Sequence, residues 1–361
     1  MKGMSLSLGI VGLPNVGKST LFNALTKNNI LAANYPFATI EPNVGIVAVP
    51  DKRLAKLAEI SQSVDILPAT VTFVDIAGIV RGASEGAGLG NKFLANIRET
   101  NAIVQVVRAF DDDNVIHVEG KVDPQDDIDA IKTELCLADI ATVQKRIEAT
   151  QREAKTNPKA SAVVAELQQI SASLNNGELI SHTYSELPES IADLQLLTAK
   201  PFIYVFNLDE AGLADKAKQA ELAKLAGNSP VVFLCAKIEA ELQDLPDEEA
   251  SELLQSLGQE QSGLDSLVQI SFRILNLQTY LTTGPKETRA WTIPVGATAP
   301  QAAGVIHTDF EKGFIKAEVT GYDDLIAAGG FAEAKASGKT RLEGKDYIMH
   351  DGDVVVFRFS S

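Results

Sequence analysis

From Leu6 to about residue 110, short apolar, β-branched runs alternate with amphipathic stretches, the pattern of a parallel sheet covered by helices. The runs Leu6–Val11, Val44–Val49, Val71–Asp75 and Ala102–Arg108 predict strands. The same rhythm resumes at Pro201–Asn207 and Pro230–Cys235, so the chain between reads as an insertion into one α/β domain. Within that insertion, Ile128 through Ile147 and Ala160 through Leu174 carry apolar residues three and four apart among Ala, Leu, Glu, Gln and Lys, which predicts two long helices. Pro158 biases Asn157 away from helical geometry, so Thr156-Asn157-Pro158 is the expected break of an antiparallel hairpin. A projecting coiled-coil arm is preferred over helices packed flat on the sheet. After a helix at Gly263–Leu277 the composition changes at Thr282-Thr283-Gly284-Pro285. Strand-like runs follow at Trp291–Pro294, Gly313–Val319 and Asp353–Phe359, with a helix at Ala299–Ile306, the makings of a small α+β module. The expected division is residues 1–127 with 198–277 as an α/β domain, 128–197 as a helical arm, and 278–361 as the module.

Composition narrows the setting. A hydrophobic share of 45%, with no apolar run near the ~18 residues of a membrane span, predicts a soluble chain without membrane association. Leu6–Val11 imitates a signal-peptide core, but a glycine-rich loop follows where a cleavage site should stand, so the segment reads as a strand. Cys136 and Cys235 lie far apart in apolar stretches; this excludes a disulfide framework and fits a reducing, cytoplasmic compartment. The net charge of −16 argues against gripping nucleic acid through the general field, although a local basic face stays open. Residues 277–361 hold nine Lys or Arg against eleven Asp or Glu, so that part could approach RNA. The acidic cluster Asp111, Asp112, Asp113, Glu119, Asp123, Asp126, Asp127 and Asp129 lacks the Gly and terminal Glu of an EF-hand and reads as a solvated loop.

The chemistry begins at Gly12-Leu13-Pro14-Asn15-Val16-Gly17-Lys18-Ser19, which fits G-x4-G-K-[ST] and stands between a predicted strand and a helix opening at Thr20. Glycines let backbone N–H groups converge on phosphate oxygens, and the helix N-terminus adds its positive end. Lys18 is placed to neutralise the outer phosphates and Ser19 to ligate Mg2+. Asp75-Ile76-Ala77-Gly78 ends a strand where such an enzyme needs an Asp near, not on, the metal and a backbone N–H at the γ-phosphate; Lys18, Asp75 and Gly78 are the candidate catalytic set. Thr39, in a loop bounded by Pro36 and Pro42, is the candidate second Mg2+ ligand.

A base site should lie at the C-terminal ends of later strands, at Asn207-Leu208-Asp209-Glu210 and at Cys235-Ala236-Lys237. Guanine-specific sites carry Asn-Lys-x-Asp. Here Leu208 replaces the Lys and Glu210 the Asp, which weakens guanine pairing and favours ATP over GTP. Asn207, Leu208, Glu210, Ala236 and Lys237 are therefore the candidate base contacts.

These residues resemble the Obg-like P-loop enzymes and, within them, the YchF or Obg-like ATPase group. The likeness rests on Gly12–Ser19, on Asn34-Tyr35-Pro36-Phe37-Ala38-Thr39-Ile40-Glu41-Pro42-Asn43, on the glycine-rich Arg81–Leu94, and on Asn207-x-x-Glu210. It covers nearly the whole chain and implies a P-loop NTPase domain, a coiled-coil arm, a C-terminal TGS-like domain, preference for ATP, and ribosome association, with the large subunit and RNA in a groove between domains as expected contacts. It also suggests K+ at Asn15 in place of an arginine finger. Ile79 stands where related switch enzymes carry the glutamine that orients water, so intrinsic hydrolysis should be slow. A GTPase of Obg type, and a nucleic-acid-binding or scaffold protein with a mainly structural nucleotide site, remain the alternatives.

Overall fold

The computed structural model describes residues 6–27, 43–76, 78, 89–111, 122–184 and 186–360. They fall into two units, Met1–Val47 with Thr72–Ile270, and Ala48–Val71 with Ser271–Ser361.

The first unit is a P-loop α/β fold. Its sheet runs β2-β4-β1-β5-β6-β7, formed by β1 (Ser7–Val11), β2 (Val44–Ala48), β4 (Thr70–Asp75), β5 (Ala102–Arg108), β6 (Phe202–Asn207) and β7 (Val231–Leu234). Strand β3 (Asp65–Leu67) belongs to the other sheet. Strands β4, β1, β5, β6 and β7 pair in parallel, with Ile103 opposite Phe202 and Arg108 opposite Asn207. Every residue of β5 and β6 is buried, which is why both read as continuous runs without alternation: helices cover both faces. Parallel strands all end on one edge, and there the loops after β1, β5, β6 and β7 converge.

Helix α1 (Lys18–Thr26) follows β1, and α3 (Leu89–Glu99) precedes β5. The inserted hairpin is α4 (Pro124–Ala154) and α5 (Pro158–Asn175). Asp123, far from forming a metal cluster, caps α4 by accepting from the Asp126 N–H, with Pro124 in the first turn. Asn157 caps α5, its Oδ1 accepting from the Lys159 N–H at 3.0 Å. At 31 residues α4 extends about 46 Å at ~1.5 Å per residue. Its two halves differ. The root packs on the sheet through Ile128 and Ile131, and Gln105 of β5 donates to the Asp127 carbonyl. Farther out, Val143 and Ile147 pack with Leu167 and Ile170 of α5. Beyond Ile147 no α4 side chain is buried. The insertion thus begins as a helix on the sheet and ends as a hairpin on its own.

Two short helices, α6 (Ile180–Thr183) and α7 (Glu189–Ala192), and a 3₁₀ turn at Leu197–Ala199 return the chain to β6. Asp139 of α4 fixes that turn, accepting from the Leu197 N–H (3.0 Å), the Thr198 N–H (2.8 Å) and the Thr198 hydroxyl (2.7 Å). Burial nonetheless pushes the Asp139 carboxyl up, its three donors opposing. Helices α8 (Glu210–Ala214), α9 (Lys216–Leu225), α10 (Ala236–Leu242), α11 (Asp247–Ser256) and α12 (Gly263–Ile274) complete the unit's order, the last ending in the second unit.

The second unit is a sheet of order β11-β10-β12-β8-β9-β3. Its strands are β3, β8 (Leu277–Thr283), β9 (Glu287–Pro294), β10 (Phe314–Gly321), β11 (Arg341–Glu343) and β12 (Asp353–Phe359). Helices α13 (Ala299–Ile306) and α14 (Thr308–Lys312) lie along it, and small Ala299, Ala302 and Ala303 let α13 approach Tyr280, Ala317, Val319 and Val355. Short helices α15 (Tyr322–Ala328) and α16 (Phe331–Ala336) follow β10. Two sequence expectations change here. Thr282-Thr283-Gly284-Pro285, where the composition changes, is not where the module begins: Thr282 and Thr283 end β8, and Gly284 and Pro285 open the turn of the β8–β9 hairpin, with Thr283 opposite Thr288. Residues 48–71, expected with the nucleotide-binding sheet, join this unit instead. There α2 (Arg53–Ser61) buries Leu54, Leu57 and Ala58, and β3 pairs in parallel with β9. Arg53 fastens the addition by donating to Asp51, Asp351 (2.8 Å) and Thr279 (3.0 Å).

Candidate functional site

At the C-terminal edge of the first sheet lies a cavity of about 700 Å³. It is lined by Leu13, Pro14, Asn15, Gly17, Lys18, Ser19 and Thr20 of the first loop and helix, by Gly78, and by Asn207, Leu208, Ala236 and Lys237. Thus twelve of the expected contacts share one hollow. Gly12 and Val16 lie beneath it, where a Cβ on Gly12 would meet Val16 Cγ2 at 2.8 Å.

The phosphate loop is held from behind by one side chain. Asn207, at the end of β6 and buried, donates from Nδ2 to the Val16 carbonyl (3.0 Å) and accepts at Oδ1 from the Ala236 N–H (2.9 Å). A neutral amide is suited to this post, since it satisfies one buried acceptor and one buried donor with no charge to desolvate. Gly17 sits against it at φ +92°, and a Cβ there would fall 2.2 Å from Asn207 Nδ2. The position therefore needs glycine twice over, for backbone conformation and for space. Asn15 also takes a left-handed conformation, φ 63°.

Lys18, first residue of α1, is ion-paired through Nζ to Asp75 Oδ1 at the end of β4. Asp75 itself is outside the cavity wall, behind Lys18. Gly78 lies close to the loop, its would-be Cβ 3.3 Å from the Gly12 carbonyl. The Ser19 hydroxyl, at the start of α1, and the Asp75 carboxylate, at the end of β4, are hard oxygen donors, a set that suits Mg2+. Thr39, Ala77 and Ile79, together with Asn34–Pro42, Arg81–Gly88 and the acidic residues Asp112, Asp113 and Glu119, lie outside the described residues.

The base end departs from the sequence reading in one respect. Leu208 is buried and lines the cavity, but beside it stands Asp209, while Glu210 is exposed on the first turn of α8 and outside the wall. Asp209 Oδ1 accepts from the Gly212 N–H (2.8 Å), capping α8. Cys235, of the expected Cys235-Ala236-Lys237 segment, also lines the wall, and two further wall residues, Phe110 and Asp111, were missed. Their signal was position: Phe110 and Asp111 follow β5 as Leu208 and Asp209 follow β6. Arg108, buried beneath, puts its guanidinium 4.5 Å from the Phe110 ring centre and donates to the Phe110 carbonyl (3.1 Å), fixing that loop.

Below the base end, Glu239 of α10 accepts from the Gly263 N–H (2.6 Å) and the Leu264 N–H (3.3 Å), capping α12. Burial pushes its carboxyl up to about 7 against those two donors.

Comparison with known proteins agrees with this geometry. A family model described as 50S ribosome-binding GTPase matches residues 7–142, and the YchF-GTPase_C model, described as a protein of unknown function, matches residues 277–360. A Haemophilus ducreyi protein named ribosome-binding ATPase YchF is 54% identical over 362 residues, covering 99% of this chain and 100% of its own. The Bacillus subtilis protein of the same name is 50% identical over 366 residues, with the same coverage. The chain belongs to the YchF family. The solved Schizosaccharomyces pombe YchF GTPase superposes with a TM-score of 0.87 at 39% identity, covering 99% of both chains. The likeness therefore spans both units of the YchF fold, including residues 48–71.

Proposed function

We propose that this chain is a ribosome-associated P-loop ATPase that works as a slow nucleotide-dependent switch in the cytoplasm, hydrolysing ATP to ADP and phosphate and GTP less well. The observation that carries the reading is Asn207, which ties the phosphate loop to the base wall while its neighbour Leu208 presents a hydrocarbon there. A guanine site would need a cation along the ring and a free carboxylate; Leu208 supplies no charge, and Asp209 has one oxygen engaged by Gly212. Relatives named as ribosome-binding ATPases support both the nucleotide and the partner.

In this reading Lys18 binds the outer phosphates, exchanging its Asp75 partner for phosphate oxygen, and Gly78 offers its N–H at the γ-phosphate. Ser19, with Thr39, would hold Mg2+, which would supply charge neutralisation at the phosphates. Asp75 would support that metal without ligating it. Ile79 gives water no hydrogen bond, so turnover waits on K+ near Asn15, on the ribosomal large subunit, or on both. The equilibrium Kd values for ATP and GTP test the base assignment. Wild type should bind ATP more tightly, and Leu208→Lys should narrow the gap at least about tenfold, roughly 1.4 kcal/mol. Tighter GTP binding in wild type sinks the assignment. Lys18→Ala should abolish turnover while cosedimentation with ribosomes persists. Equal rates in K+ and Na+ would remove the role given to Asn15.

A further inference from the structure

A second hollow, of about 300 Å³, lies at the root of the arm. It shares no lining residue with the nucleotide cavity. Its walls come from the start of α4 (Ile128, Lys132), the turn from α5 into α6 (Glu178, Leu179, His182), β6 (Tyr204) and the end of α9 (Lys224, Leu225). The volume is at the small end of ligand pockets.

What distinguishes this hollow is an excess of hydrogen-bond donors over partners. Tyr204 is 2% exposed, yet its hydroxyl makes no hydrogen bond among the described residues. That hydroxyl is not one of the sealed, unpaired polar atoms of the described residues, so it opens onto the hollow and can donate there. Burial pushes that phenol up to about 12, with Asp129 adding to the effect, so it remains a neutral donor at physiological pH. Lys224 likewise makes no ion pair or hydrogen bond among the described residues. His182 spends Nε2 on Ser229 (2.9 Å) and leaves Nδ1 open. Lys132 is the partly committed member, paired with Asp129 at 2.7 Å. Burial, with the Lys132 charge adding to it, holds the His182 ring below its ordinary pKa. Glu178 is the one carboxylate on the wall. Opposite the donors, Ile128, Leu179 and Leu225 form an apolar side that suits a short carbon skeleton.

We propose that this hollow is a second ligand site and that it takes a small organic phosphate. Lys224 and Lys132 meet the phosphate as point charges, Tyr204 donates from below, and the apolar side receives the organic part. In a chain of net charge −16 such a site needs local donors of this kind, since the general field repels anions.

The test uses the full chain with its nucleotide site saturated by Mg2+ and a non-hydrolysable ATP analogue, so that phosphate has no access to Lys18. Glycerol 3-phosphate is titrated in, followed by calorimetry and by the imidazole NMR resonances of His182, assigned with His182→Gln. The expected result is saturable binding of one molecule per chain with a shift at His182. Lys224→Gln and Tyr204→Phe should each weaken it at least fivefold, and glycerol should give no response. Lys224 is exposed, so its variant folds whatever Tyr204→Phe does. Absence of saturation, or unchanged affinity in Lys224→Gln, overturns the proposal. Inorganic phosphate binding as tightly as glycerol 3-phosphate overturns the organic part of the assignment.

Discussion

The nucleotide cavity and the root of the arm are each held by one buried polar side chain that joins distant segments. Asn207 joins the phosphate loop to the base wall, and Asp139 joins α4 to the turn before β6. The first is neutral and the second is a carboxylic acid that burial pushes toward its protonated form. A charge beside the phosphate loop would add its own field to the ligand's; an amide positions the loop without doing so. The turn before β6 needs three donors satisfied at once, and a carboxylate can accept three where an amide oxygen accepts two. One clamp therefore governs binding and the other stability.

The largest effect that would break this comparison is Gly17→Ala. A Cβ 2.2 Å from Asn207 Nδ2, on a backbone at φ +92°, displaces the clamp, and affinity for ATP should fall at least about 100-fold by equilibrium titration. Asp139→Ala should leave that affinity within about twofold while costing about 3 kcal/mol in urea denaturation, because two buried N–H groups and a hydroxyl lose their acceptor. If nucleotide affinity falls in step with stability, the two clamps are not separable. Glu239 sharpens the case. Its folded pKa of about 7 is raised above the ordinary 4.5, so its contribution is fully present below pH 4.5 and is lost as pH rises through 7. Glu239→Gln should flatten that slope and leave the variant more stable than wild type at pH 8, by at most about 3 kcal/mol for a shift of this size. Stability curves from pH 5 to 8 decide it. Smallest is Asn157→Ala at the outer end of the arm, an exposed cap worth about 1 kcal/mol, measurable as fraying by hydrogen exchange with no change in nucleotide binding.

Much of the fold was legible because local pattern and final environment agree. Ala102–Arg108 is an apolar run buried along its whole length, Asp353–Phe359 is a strand buried at its start, and Asn157-Pro158 breaks the hairpin where a cap and a helix start coincide. What was not legible was partnership. Residues 48–71 were grouped with the nucleotide-binding sheet by their place in the chain, which does not say which sheet will cover Leu54, Leu57 and Ala58 of α2. Thr282-Thr283-Gly284-Pro285 reads as the start of a module because a hairpin turn and a domain boundary use the same residue types. At the site, Gly12–Ser19 was recognisable since its chemistry depends on local spacing. Asp209 and Phe110 were not, because a wall residue is chosen by how a loop leaves its strand. Asn207 was read as a base contact, and its grip on Val16 appeared only when residues far apart in sequence were brought together.

The placement of residues 48–71 in the second unit also bears on how the chain is made. Translation delivers β3 and the apolar face of α2 well before residues 271–361, which hold the rest of their unit, have left the ribosome. Until then Leu54, Leu57 and a short unpaired strand have nothing to close on, an aggregation hazard for any nascent chain. A chaperone at the nascent chain thus meets an apolar helix face still open near its beginning, and a gene truncated after residue 270 would make that transient state permanent.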